Sequence, residues 1–184
     1  MKSYLISDPE YYGKTPKSVK EKAYKIFLQK EPDFVCFRDK KTSKFQALAS
    51  AFTDTARKAG IEKIIIHSDI ETALALEAYG VHLSTSDFFK IPIAKSKGLY
   101  VIASTHSLEE AQEAYKMGAD AVTFSPVFYT PLKGRPQGLE KLKEIVDKIP
   151  IDVIALGGII TDKEVKKVAK TGCFGFASIR YFVS

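Results

Sequence analysis

Two positive side chains stand two residues apart in Phe37-Arg38-Asp39-Lys40-Lys41, directly after the apolar run 33–37. On extended backbone, residues two apart point to the same side. Arg38 and Lys40 therefore offer a forked guanidinium and a compact ammonium together, a pair suited to a diphosphate; the plainer reading is a solvated charge run. A second set, His67, Ser68 and Asp69, follows the run 63–67. Imidazole titrates near neutrality, which makes His67 the histidine best placed for acid–base work. Gly157 and Gly158 end the run 152–156 just before Thr161 opens a helical pattern. Glycines there let backbone N–H groups and a helix N-terminus approach an anion, although a tight turn alone also asks for glycine. The long segment 125–138, rich in Pro and Gly, carries Thr130 and Lys133 and has the length of a loop that covers a site. Ser104 and Ser178 end two further apolar runs.

His67, His82 and His106 are the only histidines. No helix-borne pair and no carboxylate partner accompanies them, which argues against zinc. His82 and His106 are expected to hold hydrogen bonds within the fold.

These residues fall at regular places. Short runs rich in β-branched and aromatic residues (3–7, 33–37, 63–67, 80–84, 99–104, 121–125, 152–156, 174–178) alternate with helical patterns at about 17–30, 42–59, 71–79, 86–96, 107–117, 138–148 and 161–171. Ser107 with Glu110, and Thr161 with Glu164, read as capping signals, and Gly60, Gly118 and Gly172 as C-terminal stops. Strands alternating with helices, and apolar on both faces, predict a parallel sheet covered on each side or closed. The count predicts an α/β fold, a (β/α)8 TIM barrel; an open doubly wound sheet is the alternative. At 184 residues the barrel is compact, since about 250 is typical. The chain runs six residues past the last strand pattern, so the last helix is expected to be missing or truncated. That would bare apolar surface around Tyr181 and Phe182, for a second copy of the chain to cover. In such a barrel, function gathers at the C-terminal strand ends, which is where the polar residues above lie.

The length predicts one domain over 1–184. Cys36 and Cys173 lack metal-ligand spacing and read as buried thiols of a reducing, cytoplasmic compartment. The first residues lack a signal-peptide pattern, and no apolar run is long enough for a membrane span. A net charge of +6 raises the question of nucleic acid. The lysines are interleaved with Glu and Asp along helical faces, so small anionic partners such as phosphates fit better than nucleic acid or a membrane.

The succession YLISD, FRDK, ETALALEAYGVHL, STHSLEEAQEAYKMGADAVTFSPVFYTPLKG, IALGGI and FASI resembles the thiamine phosphate synthase/TenI family over nearly the whole chain. The resemblance implies a (β/α)8 barrel that joins hydroxymethylpyrimidine diphosphate to thiazole phosphate with release of pyrophosphate. It implies that Arg38, Lys40, Ser104 and Lys133 hold the diphosphate, that Asp87 is a carboxylate for Mg²⁺, that Gly157, Gly158 and Ser178 cradle the thiazole phosphate, and that Thr130 belongs to the covering loop.

The chain departs from that pattern at named positions. His67-Ser68 stands where the synthases carry Asn-Asp, so Ser68 replaces the second Mg²⁺ carboxylate. Cys36 stands for a glutamine and Leu132 for a second loop threonine. Pro126 occupies the place of the proton-shuttling histidine of the TenI tautomerases. Two readings follow. One is a thiamine-synthesis transferase. The other is a TenI-like thiazole-phosphate-binding protein, tautomerase-like or regulatory, in which His67 would take over proton transfer.

Overall fold

The computed structural model describes residues 1–131 and 133–184. Its strands are β1 (Lys2–Ile6), β2 (Phe34–Phe37), β3 (Ile64–His67), β4 (Gly80–Leu83), β5 (Tyr100–Thr105), β6 (Ala121–Phe124), β7 (Asp152–Leu156) and β8 (Gly175–Ser178). All neighbours pair in parallel, and β8 returns to β1 through Lys2↔Gly175 and Leu5↔Ser178 to close the barrel. The helices are α1 (Pro9–Tyr12), α2 (Pro16–Lys30), α3 (Phe45–Lys58), α4 (Ile70–Ala75), α5 (Ile91–Ser96), α6 (Leu108–Lys116), α7 (Gly138–Lys148), α8 (Asp162–Ala169) and α9 (Arg180–Val183), and a 3-10 helix spans Thr85–Lys90. Among the described residues, no helix is long and apolar enough to cross a membrane.

Strand alternation divides the apolar side chains into two shells. Leu5, Val35, Ile66, Val101 and Val122 point outward under the helices. Tyr4, Phe34, Cys36, Ile65, Ile102 and Ile154 point inward and fill the barrel's lower half. Apolar residues on both faces are what a buried parallel strand requires, and are why these runs read as continuous rather than alternating.

Three local outcomes differ from the sequence expectations. The helical pattern at 86–96 starts as the 3-10 helix, because Pro92 has no N–H to bond to Phe88 and the preceding turn tightens instead, with Ile91 N–H donating to Phe88 O. The pattern at 71–79 stops at Ala75, where Glu77 turns to φ 49°. The truncated last helix does not leave the expected apolar surface bare. Phe182, 2% exposed, stacks on Phe176 with ring centroids 6.0 Å apart. The Tyr181 hydroxyl donates to Asp162 Oδ1 at 2.8 Å, and the Lys30 ammonium lies 5.5 Å from its ring centroid. The chain itself closes the gap beside α2, so this surface gives no reason for a second subunit.

Candidate active site

The inward register carries the polar residues to the barrel mouth. One step of two residues leads from Cys36 to Arg38, from Ile65 to His67, from Ile102 to Ser104, and from Thr123 to Ser125. The apolar floor therefore becomes polar at the C-terminal strand ends. A cavity of about 360 Å³ there gathers Arg38, Lys40, His67, Ser104, Thr130, Lys133 and Gly157. It shares Lys40, His67 and Ser84 with a groove of about 690 Å³ beside α4 and the 3-10 helix. It shares Thr130, Leu156, Gly157 and Ile179 with a cleft of about 290 Å³ between β7 and β8. The three recesses form one opening.

At its cationic end, Ser7 Oγ accepts from Arg38 N–H at 2.8 Å, and Arg38 Nη1 donates to Asp8 Oδ2 at 3.3 Å. The end of β1 thus fixes the aim of the first side chain after β2. Lys40 lies in the same cavity, as the two-residue spacing predicts. Burial, then the neighbouring Arg38 and Lys133, hold the Lys40 ammonium below its ordinary pKa. Positive groups crowded in this way favour an anion between them.

His67 is a neutral base at physiological pH: burial first, then Arg38 and Lys40, bring it down to about 4, against a smaller opposing pull from Asp87. That removes the neutral-pH titration on which an acid–base role would rest. His82 is buried beside it, the two rings 5.6 Å apart. Tyr4 Oη lies 3.0 Å from His82 Nδ1, and His82 Nε2 lies 2.9 Å from Ser104 Oγ. Burial and then His67 hold His82 well below the ordinary imidazole range. A neutral ring thus links a core tyrosine to a mouth serine. His106 Nδ1 lies 2.8 Å from Ser125 O. Cys36 sits beneath Arg38 within the barrel, and burial pushes its thiol up to about 12, so it is no nucleophile. Pro126 is buried and brings no titratable group, and Leu132 lies outside the described residues.

The carboxylates beside β3 and β4 are engaged by the chain itself. Asp69 caps α4, accepting from Thr72 N–H at 2.9 Å and Thr72 Oγ1 at 3.0 Å. Asp87 Oδ1 pairs with Lys90 Nζ at 2.8 Å, and Oδ2 accepts from Ser84 Oγ at 2.8 Å. Burial raises the Asp87 pKa, but these bonds, with a smaller share from Ser68, outweigh it and hold the carboxyl below the usual range. Ser68 itself stands at φ 60°, its N–H donating to His82 O. Mg²⁺ prefers carboxylate oxygens in octahedral array. One carboxylate already paired to an ammonium does not fit a Mg²⁺ held between two.

At the opposite end, Gly157 and Gly158 adopt φ 98° and 69°. A Cβ on Gly158 would meet Tyr129 O at 2.6 Å and Phe128 Cβ at 2.7 Å. The close approach of the β6–α7 loop therefore requires glycine in its own right, and Val127 and Phe128 N–H groups bond Leu156 O and Gly157 O at 2.9 and 3.0 Å. The Ser178 hydroxyl is spent within the fold, donating to Ile159 O at 2.7 Å and accepting from Tyr181 N–H at 3.2 Å. The cation in this cleft is Arg180, which faces it with Asp8 and Glu10. Sequence reasoning passed over Arg180 and Lys90; each lies two or three residues beyond a residue it did single out, Ser178 and Asp87.

Known proteins resemble this chain in sequence and fold. The family model described as thiamine monophosphate synthase matches residues 3–182. The thiamine-phosphate synthase of Clostridium novyi is 34% identical over 97% of this chain and 88% of its own length. That of Pyrococcus furiosus is 44% identical over 60% of this chain and 54% of its own length. Among solved structures, a thiamine phosphate pyrophosphorylase from Pyrococcus furiosus superimposes with a TM-score of 0.82 at 30% identity, covering 97% of this chain and 85% of that one. The match runs through both ends of the barrel mouth: this chain belongs to the thiamine monophosphate synthase family.

Proposed function

We propose that this chain is a transferase that joins hydroxymethylpyrimidine diphosphate to thiazole phosphate, forming thiamine phosphate and pyrophosphate. The observation that carries the reading is the single opening with cations at one end and a glycine-walled cleft at the other. That is the shape two anionic substrates need if they are to meet over a neutral floor. Relatives named for this activity over nearly their whole length support the transferase over the binding-protein alternative.

The reaction breaks the C–O bond between the pyrimidine methylene and the diphosphate, whose oxygen keeps the electron pair. The thiazole nitrogen lone pair then bonds the methylene carbon, and no proton need move. The protein's task is to stabilise charge developing on the leaving group, which is a matter of preorganised donors rather than a base. Arg38, aimed by Asp8, holds the diphosphate through its fork, with Lys40 and Lys133 as point charges. With Tyr4 donating to Nδ1, His82 keeps its proton on Nε2 and donates to Ser104, whose own hydroxyl hydrogen is left for a diphosphate oxygen. His67, uncharged, supplies a further hydrogen-bonding group where the family carries an amide. Gly157, Gly158 and the backbone at Ser178, with Arg180, hold the thiazole phosphate, and Thr130 faces the junction of the two. The family implies Mg²⁺ for this reaction, but the residues here do not fit it, and no step above passes through a metal. Buried thiols at Cys36 and Cys173 support a reducing, cytoplasmic setting.

The test is a coupling assay with the two substrates, reading thiamine phosphate by fluorescence after oxidation. Arg38→Ala is expected to lower turnover by about 10²–10³, the size of one lost transition-state donor. Turnover unchanged in that variant would refute the assignment of the diphosphate to this end.

A further inference from the structure

A diphosphate bound at Arg38 and Lys40 also meets the wall formed by the end of β3 and the 3-10 helix, where the family relies on a metal. The aspartates on that wall are engaged, and Glu71 lines the outer part of the same groove. Asp69 serves the α4 cap, and Asp39 Oδ1 accepts from the N–H groups of Lys41 and Thr42 at 2.9 and 3.1 Å. Among the described residues, no group of three His, Cys, Asp or Glu side chains converges as a metal site. A cation is nonetheless present on this wall, covalently part of the chain. In a 3-10 helix, side chains three apart eclipse, which sets Lys90 over Asp87. Lys90 Nζ lies 2.8 Å from Asp87 Oδ1, and Ser84 holds the other carboxylate oxygen. Lys90 lines the same groove as Lys40, His67, Ser68 and Ser84. An ammonium has three donors, and the pair with Asp87 uses one, leaving others for phosphate oxygens.

We propose that Lys90, braced by Asp87, takes the part of the divalent cation on this wall, so that the chain binds a diphosphate without a metal. The inference rests on the diphosphate reading above. Asp87 changes role with it, from metal ligand to the residue that positions Lys90; Ser68 and His67 bring no negative charge, and the Asp39 and Asp69 carboxylates in the same groove already accept bonds from Lys41, Thr42 and Thr72.

The experiment is calorimetric titration of inorganic pyrophosphate into the folded protein, once in chelator and once with Mg²⁺. Wild-type protein is expected to bind in chelator with affinity of the same order as with Mg²⁺. Lys90→Gln, which keeps the stem and loses the charge, is expected to weaken binding in chelator about tenfold, as for one lost charged hydrogen bond. Lys90→Arg should restore most of it. Thermal melting of each variant establishes that it is folded. Binding by wild type only when Mg²⁺ is present, or equal binding by wild type and Lys90→Gln in chelator, would overturn the role of Lys90 and leave the diphosphate reading standing. Absence of pyrophosphate binding under both conditions would overturn the two together.

Discussion

Replacing His82 with Phe isolates the bond chain that runs from the barrel core to its mouth. Phe has nearly the shape of His but no ring nitrogen, so the ring volume stays filled. The Tyr4 hydroxyl, in a residue 1% exposed, then loses the partner 3.0 Å away. The Cys36 sulfur nearby is a weak acceptor and does not replace it. A buried hydroxyl left without a partner costs about 1–3 kcal/mol. His82→Phe should therefore destabilise the fold by about 2 kcal/mol, or ~4–8 °C in melting temperature for a chain of this size. The companion variant Tyr4→Phe leaves the ring nitrogen unpartnered instead. The double variant removes both partners together, so it should be less destabilised than the sum of the singles by ~1–2 kcal/mol. Urea unfolding of the four proteins measures the cycle. His82→Phe should also raise the KM for the pyrimidine diphosphate, because Ser104 loses the neighbour that orients it. A His82→Phe protein as stable as wild type, or a double variant equal to the sum of the singles, would refute the linkage.

Three further outcomes follow from the same geometry. His67 is neutral in the folded protein with a pKa of about 4, lowered by burial and by Arg38 and Lys40 with Asp87 opposing, and unfolded histidine titrates near ~6.5. Its stability contribution is whole above about pH 6.5 and is lost as pH falls toward 4, at most ~3 kcal/mol, with His82 acting in the same direction. Urea midpoints should fall across that window and fall less in His67→Asn; a flat profile in wild type would contradict this. Gly158→Ala places a Cβ 2.6 Å from Tyr129 O at φ 69°, costing about 1–2 kcal/mol in backbone strain alone and pushing away the loop that carries Thr130 and Lys133. Initial-rate kinetics should show a raised KM for thiazole phosphate, and an unchanged value would count against the cleft. Phe182→Ala should cost about 3–5 kcal/mol in urea unfolding, because the ring is buried against Phe176. A loss below ~1 kcal/mol would mean that the C-terminal turn does not close the barrel.

The barrel was legible because its signals are local. Runs such as Ile64–Ile66 and Val153–Ile154 announce buried strands, and the Thr161–Glu164 capping box and the stop at Gly172 bound a helix within a few residues. The cationic end was legible for a similar reason: Arg38 and Lys40 directly follow the end of β2 two residues apart, and both line one cavity. What sequence reading missed depends on closure. Tyr4 and His82 are 78 residues apart and meet only because both point inward in a closed sheet. The Asp87–Lys90 pair depends on a 3-10 turn forced by a proline further on, where the periodicity suggested an α-helix. Asp87 read as a metal ligand and Lys90 drew no reading at all, until that turn set one over the other. The four-residue α1 and α9 are too short to show a period, so the covering of Phe182 was invisible.

The most direct test of the account follows both phosphorus-bearing substrates in one sample by phosphorus NMR. Purified protein is mixed with hydroxymethylpyrimidine diphosphate and thiazole phosphate. Pyrophosphate and thiamine phosphate are expected to appear in equal amounts and at the same rate, and Arg38→Ala to slow both together by about 10²–10³. Folded protein that binds thiazole phosphate yet releases neither product would contradict it, and would make this barrel a holder of phosphates rather than a transferase.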